Sequence, residues 1–348
     1  MFKPKYQYTD NMIGLLTRIA AAREVILSAP LIPRWEISLR REAIVRSAHS
    51  STSIEGNNLS LEQVSDLASG RKIMAKRKDK EEVLNYISVL ENLDTLSANG
   101  EITDANIKNI QKRLTVNTID DPRDCGAYRN ETNKYVVVGN RLTGEISFRP
   151  PANIEIPQLM QDYVQWLNSD KARGLDPVMA AGIAHYEFVR IHPFVDGNGR
   201  TARVIAALIL RLRGFDTKRF FCLDDYYDMD RTEYYKALRA VHSQKRDLTG
   251  WLEYFVEGVA VSIDAVRERV VRLSVERVKA KKKGQIALTE RQMRIVEYIN
   301  KHGKINTGDV ATMFKTSRQA ALKEIGKLVL LEIVKREGQA RSSYYVMR

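Results

Sequence analysis

HPFVDGNGRTAR, residues 192–203, brings one histidine, one acid, an asparagine between two glycines and two arginines together, directly ahead of the apolar run VIAALIL. Pro193 disfavours helical backbone at His192, so the helical pattern AAGIAHYEFVRI before it is expected to end there with His192 extended. Gly197 and Gly199 permit backbone angles closed to other residues, which lets consecutive amide N–H groups turn toward one concavity. A helix beginning near Arg200 aims its unbonded N–H groups and positive dipole end at the same place. The expected result is an anion cradle.

Arg200 and Arg203 lie three residues apart and so share a helix face, where guanidinium forks suit phosphate oxygens. Asp196, at the mouth of the cradle, is a hard oxygen donor of the kind that holds Mg2+ together with substrate phosphates and water. His192 as a neutral imidazole can take a proton from an attacking hydroxyl. The set reads as a nucleotide polyphosphate site. Each fragment alone has a plainer reading, a structural histidine or a capped loop; the combination at this spacing is what points to chemistry. A zinc site through His185 and His192 fails, because the two are seven apart without an HExxH pair.

Outward from this stretch the chain is mostly helical. Apolar residues recur at three- and four-residue spacing in NMIGLLTRIAAAREVIL, WEISLRREAIVRSAHSSTSIEG and EEVLNYISVLENLDTL, then at 103–117 and along several segments from 156 to 274. Thr103 or Asp104 can cap the helix at 103–117. KYVVVGNRLTGEISFRPP, 134–151, breaks the period with a β-branched run, a Gly/Asn turn and a second extended run, the pattern of a hairpin. After the charged segment VERVKAKKKGQ, three helical patterns and two short extended runs fill the last sixty or so residues, as in a winged helix-turn-helix. The expected fold is mainly α: a helical region at 1–100, a core at 101–262, a basic linker at 263–285 and a winged helix at 286–348.

The formal net charge is +13. From Asp264 to Arg348 there are 20 Lys and Arg against 9 Asp and Glu; residues 1–263 hold 36 against 34. The basic character is therefore C-terminal, where it suits an acidic partner such as nucleic acid or simply a solvated surface. Cys125 and Cys222 are isolated, which suggests neither a disulfide framework nor a thiolate metal site. MFKPKYQYTD lacks the features of a secretory signal and no apolar run near the motif reaches membrane-spanning length, so a cytoplasmic location is expected.

HPFVDGNGRTAR matches the Fic motif HxFx(D/E)GNGRxxR at every specified position, and the chain resembles this family over about residues 10–262. The resemblance implies a Fic-type helical core and a protein adenylyltransferase, a nucleotidyltransferase that moves AMP from ATP to a Tyr, Ser or Thr hydroxyl of a target protein, this chain itself among the candidates. It implies that His192 is the base, Asp196 the Mg2+ ligand, and Gly197, Asn198 and Gly199 the anion hole. Arg200 would grip phosphate, Phe194 would face the core, and the hairpin at 134–151 resembles the family's flap, where strand addition could align a target. A plain structural hairpin remains the alternative. Ser51, Glu55 and Gly56 in SSTSIEGN resemble the family's inhibitory motif [S/T]xxxE[G/N], which implies that Glu55 pairs with Arg203 and keeps it from the γ-phosphate. The plainer reading of Glu55 is an exposed acid at a helix end. Tyr234 and Tyr235 are candidates for the nucleobase pocket or, alternatively, core aromatics. His242 stands where many relatives have Asn, which puts that contact in doubt.

Rival functions are a Fic-fold transferase of another phosphate-containing group and a DNA-binding regulator. In the latter SRQAALKEIGK would be the recognition helix, with Arg318, Gln319 and Lys323 as candidate DNA contacts. Winged helices also bind proteins, and basic residues on an exposed helix are often only solvated. A homodimer is a further expectation from the resemblance.

Overall fold

A computed structural model describes residues 2–97, 100–130, 138–139, 146–215, 217–281, 288–338 and 343–348. The order is α1 Asp10–Ser28, α2 Pro33–Ile54, α3 Leu61–Ala68, α4 Arg77–Glu91 and α5 Asp104–Thr115. It continues with β1 Val138–Gly139, β2 Ile146–Phe148, α6 Ile156–Leu167, α7 Asp170–Arg173, α8 Pro177–Ile191, α9 Asn198–Leu212, α10 Asp224–Met229, α11 Arg231–Ser243 and α12 Thr249–Lys281. The last elements are α13 Glu290–His302, α14 Thr307–Met313, α15 Arg318–Leu330, β3 Val334–Glu337 and β4 Tyr344–Met347. The mainly α expectation holds. Among the described residues no helix is long and apolar enough to cross a membrane, and Cys125 and Cys222 are both free thiols.

Two compact units are formed, one from Met1–Ser28 with Arg40–Arg269 and the other from Ala29–Leu39 with Val270–Arg348. In the first, α8 is apolar nearly all round and buries twelve of its residues, as a central helix must. It packs against α9, the two joined by the turn that carries the motif. Gly182 lets α12 approach α8: a Cβ there would stand 2.9 Å from Leu252 Cδ2, and Trp251 Nε1 donates to the Gly182 carbonyl at 2.8 Å. The cap expected at 103 is present, Thr103 bonding the Asn106 N–H while the Asn106 side chain bonds back. Of the hairpin pattern at 134–151, β1 and β2 pair antiparallel with Val138 opposite Phe148; residues 134–137 and 140–145 lie outside the described residues.

In the second unit Ile295, Ile299, Val310, Ile325, Leu328 and Tyr345 share one core. Thr289 with Gln292 and Asn306 with Asp309 form capping boxes that start α13 and α14, and Gly303 ends α13 in the left-handed conformation. β3 and β4 pair antiparallel from Val334–Met347 to Glu337–Tyr344, and Ile305 adds a bridge to Tyr345. Residues 282–287 of the basic segment and 339–342 of the C-terminal turn lie outside the described residues.

Candidate active site

The motif sits on the turn between α8 and α9. α8 ends at Ile191, as Pro193 requires, but His192 is not extended: at φ 51°, ψ 56° it is left-handed. Proline disfavours the right-handed helical well for its predecessor and ordinarily leaves it extended, so the left-handed backbone is held against that preference. For a non-glycine residue such backbone costs of order 1–3 kcal/mol, and neighbouring bonds hold it. The His192 N–H donates to Phe188 O at 2.9 Å, Arg129 Nε donates to His192 O at 2.8 Å, and the Arg129 N–H donates to Pro193 O at 2.9 Å.

The His192 ring is thereby aimed with Nδ1 3.2 Å from Val189 O. A carbonyl can only accept, so Nδ1 carries the proton and Nε2 keeps a lone pair. Burial lowers the His192 pKa to about 4, outweighing the bond to Val189 and the nearby Glu55, which act the other way. The ring is a neutral base at pH 7.

Gly197 is left-handed at φ 80°, and a Cβ there would stand 2.7 Å from Thr115 Cγ2, so both conformation and space call for glycine. Gly199 differs from the expectation of a turn residue: it lies within α9, which begins at Asn198, and its φ is not positive. Its reason is space, since a Cβ there would collide with Glu55 Oε1. The Asn198 side chain clasps the turn, accepting from Phe194 N–H at 2.9 Å and donating to Phe194 O at 2.8 Å. Phe194 is fully buried, its ring 5.0 Å from Tyr128 and 6.2 Å from Phe188. The bond from Thr201 N–H to Gly197 O (2.9 Å) opens the helix, so the N–H groups of Asn198, Gly199 and Arg200 precede its own bonding and face outward from its N-terminus.

Arg200 and Arg203 are both buried in α9, and each meets a carboxylate from another helix. Arg200 Nη1 is 3.7 Å from Glu82 Oε1 and Nη2 is 3.3 Å from Asp196 Oδ1, yet Nε and Nη1 make no hydrogen bond among the described residues. Unfilled buried guanidinium donors beside a helix N-terminus suit an anion. Asp196 is partly exposed; Oδ1 accepts from Gly197 N–H at 2.5 Å and its carbonyl accepts from Gln111 Nε2 at 3.0 Å. Among the described residues no cluster of three His, Cys, Asp or Glu is spaced to hold a metal. A divalent cation would rest on Asp196 with phosphate and water completing its shell.

Arg203 donates from Nε to Ser51 Oγ at 2.6 Å, and from Nη2 to Ser51 O at 2.9 Å and Glu55 Oε1 at 2.8 Å. Ser51 lies in the last turn of α2. Gly56 then stops the helix in the left-handed conformation, with Gly56 N–H bonding Ser53 O and Asn57 N–H bonding Thr52 O, a Schellman arrangement that fixes where Glu55 sits. The structure thus brings Ser51, Glu55, Gly199 and Arg203 together. Arg203 Nε also faces Asp224 Oδ1 at 3.5 Å. Burial raises the Asp224 pKa to about 6 against the pull of Arg203.

Of the nucleobase candidates, Tyr234 belongs to the core: it is 1% exposed, and its hydroxyl meets His185 Nε2 at 2.9 Å. Tyr235 is partly buried, with its hydroxyl 3.5 Å from Ile54 O, and His242 is exposed with its ring edge-on to Phe148 of β2 at 6.1 Å. Arg318, Gln319 and Lys323 are exposed on α15, in the other unit. Sequence reasoning missed Arg129, Gln111, Glu82 and Asp224. Each reaches the motif from a distant part of the chain, and none stands in a recognisable local pattern.

The Fic/DOC family profile matches residues 101–210. The protein adenylyltransferase fic-1 of Caenorhabditis briggsae is 32% identical over 238 residues, covering 67% of this chain and 42% of that protein. Protein adenylyltransferase Fic of Drosophila grimshawi is 31% identical over 217 residues, covering 60% and 42%. The chain thus spans about two fifths of the length of these relatives. Among solved structures, a Fic family protein from Desulfovibrio desulfuricans G20 superposes with a TM-score of 0.64 at 22% identity, over 100% of this chain and 98% of that one, a likeness of fold. Fic-1 from C. elegans superposes with a TM-score of 0.58 at 28% identity, over 75% and 71%. Residues 101–210, with the motif turn near their C-terminal end, form a domain of the Fic/DOC family.

Proposed function

We propose that the chain is a protein adenylyltransferase held in check by its own α2. Its relatives bear that name, and the observation that carries the reading is the Ser51–Glu55–Arg203 contact beside the first-turn N–H groups of α9. His192 Nε2 takes the proton of a target hydroxyl. The oxygen attacks the α-phosphorus of ATP, the bond to the bridging β-phosphate oxygen breaks, and pyrophosphate leaves with AMP on the target side chain. The first-turn N–H groups of α9 and Arg200 receive phosphate oxygens; Arg203 receives the γ-phosphate once Glu55 withdraws. Asp196 would hold Mg2+, which supplies charge neutralisation on the phosphates. Tyr235 and His242 flank the nucleobase, and β1–β2 offers an edge for the target segment. ATP as substrate, a protein target and a cytoplasmic setting go with this reading, as does a homodimer.

ATP labelled at the α- or the γ-phosphate, given to Glu55→Gly protein with lysate as target, identifies the transferred group. Label fixed from the α-position alone is the expected result; label from the γ-position would mean a kinase.

A second reading concerns residues 288–348, which we read as a winged helix-turn-helix that binds DNA beside catalysis rather than in place of it. Arg318, Gln319 and Lys323 are exposed on one helix, and they are its contacts to bases or phosphates. Leu322 and Leu330 on the same helix are 53% and 85% exposed, which favours a protein partner if DNA fails to bind. Binding through phosphates falls steeply with salt, and binding that is absent or indifferent to salt overturns the DNA reading.

A further inference from the structure

Arg129 is 4% exposed, and its guanidinium joins the end of α8 to the chain leaving β2. On the α8 side, Nε donates to His192 O at 2.8 Å and Nη2 donates to Ile191 O at 3.2 Å. On the other side, Nη2 donates to Pro151 O at 2.7 Å and Nη1 donates to Asn153 Oδ1. Pro151 lies just beyond β2, and Asn153 opens the short turn that leads into α6. All these acceptors are neutral oxygens, so the contacts supply direction rather than charge pairing. The last carbonyls of a helix have no partner within it, and Arg129 takes those of Ile191 and His192. These two carbonyls belong to the peptide planes on either side of the His192 Cα, one governed by φ and the other by ψ. A guanidinium is planar and rigid. One group therefore sets both angles of His192, the left-handed pair 51° and 56° that places Nδ1 against Val189 O.

We infer that Arg129 is a positioning residue for His192 and that the same guanidinium ties the ring to the chain leaving β2. Without it, His192 is free to relax toward the extended backbone that a following proline favours. The ring then leaves Val189 O, and nothing in that bond fixes the proton on Nδ1 any longer. In the proposed reaction Nε2 would meet the target hydroxyl out of place, and a displacement of about 1 Å costs on the order of a hundredfold in rate. The strand pair that offers an edge to the target is fastened, through Pro151 and Asn153, to the group that sets the base. Target segment and base thus share one reference point. None of these bonds involves the first turn of α9, so nucleotide binding is expected to be untouched. The consequence for rate rests on the adenylyltransferase reading above; the fixing of the ring does not.

The test compares Glu55→Gly protein with the same protein carrying Arg129→Met or Arg129→Lys, its histidine rings labelled with nitrogen-15. The His192 ring resonances, assigned by their loss in His192→Ala, are expected to show a single tautomer protonated on Nδ1 in the parent and a mixture in Arg129→Met. Amide hydrogen exchange at 146–153 is expected to be faster in Arg129→Met. AMP transfer from α-labelled ATP to lysate protein, at saturating Mg-ATP, is expected to fall by about a hundredfold, with the Kd of Mg-ATP unchanged. Lysine keeps the charge, but its single nitrogen lacks the fork that holds both carbonyls, so Arg129→Lys is expected to show part of the mixture and part of the loss. A single Nδ1–H tautomer kept in folded Arg129→Met overturns the inference, and where that variant does not fold, an unaltered ring in Arg129→Lys does so. A loss of Mg-ATP affinity that accounts for the fall in transfer overturns it as well. Unchanged exchange at 146–153 overturns the tie to β2. If the Glu55→Gly parent transfers no AMP, the enzymatic reading fails, and the ring resonances still decide this one.

Discussion

Glu55 Oε1 accepts from Arg203 Nη2 at 2.8 Å, across 148 residues of chain. One carboxylate oxygen thus occupies the donor that the proposed reaction assigns to the γ-phosphate, and a Cβ on Gly199 would touch that same oxygen. The contact is local enough to be altered one atom group at a time.

Ser51→Ala removes the acceptor of Arg203 Nε and leaves Asp224 Oδ1 facing it at 3.5 Å. A buried charged donor deprived of its bond costs about 1–3 kcal/mol, readable in urea unfolding. Glu55 stays in place but is held less firmly. AMP transfer by Ser51→Ala is expected to lie between wild type and Glu55→Gly.

Gly197→Ala and Gly199→Ala separate two uses of glycine. The first forces left-handed backbone on a side chain that meets Thr115 Cγ2 at 2.7 Å, and a loss of about 2–3 kcal/mol is expected from strain and contact together. In the second the obstacle is the far end of Glu55, a flexible side chain, and alanine is the better helix former by about 1 kcal/mol. Thermal unfolding is expected to show Gly199→Ala as the more stable of the two. The reverse order would contradict the geometry of the turn.

Much of this site was legible because it is contiguous. Asp196, Asn198, Arg200 and Arg203 stand within one turn and one helix, and a twelve-residue pattern carries their arrangement. Ser51 and Glu55 were legible only through resemblance to a second motif, since nothing local links position 55 to position 203. Arg129, Glu82 and Asp224 were not legible: their contacts span long stretches of chain, and an isolated acid or arginine looks like solvated surface. The proline rule predicted extended backbone for His192, and the bonds to Phe188 and Arg129 hold it left-handed instead. Tyr234 read as a pocket residue or a core residue from the same letters; in the structure it is buried, with its hydroxyl against His185.

Asp224 gives a pH dependence with a definite sign. Its carboxyl is raised to about 6 in the fold from an ordinary 3.8, so between these values the native state binds more protons than the unfolded chain. Stability from this group therefore falls as pH rises from about 4 to 6, by roughly 3 kcal/mol at most. Comparing wild type with Asp224→Asn by denaturant unfolding at pH 4, 5 and 6.5 isolates it. The wild type is expected to lose ground to the variant across that window, and a flat difference would contradict the buried, raised carboxyl.

His192 makes a second pH prediction. Its folded pKa of about 4 lies below the ordinary 6.5, so the unprotonated base persists as pH falls and is lost only near 4. In Glu55→Gly protein, the acid limb of AMP transfer is expected with a midpoint well below 6, read from initial rates at fixed Mg-ATP. A midpoint at 6.5 or above would mean a solvated ring.

The most direct measurement compares initial rates of AMP transfer from α-labelled ATP among wild type, Glu55→Gly and the double variant Glu55→Gly/His192→Ala, each confirmed as folded. Glu55→Gly is expected to exceed wild type by at least about tenfold, the least effect expected from losing a charge-assisted bond to a buried arginine, and the double variant to fall to background. Equal rates in wild type and Glu55→Gly would contradict the claim that α2 restrains the site through Arg203.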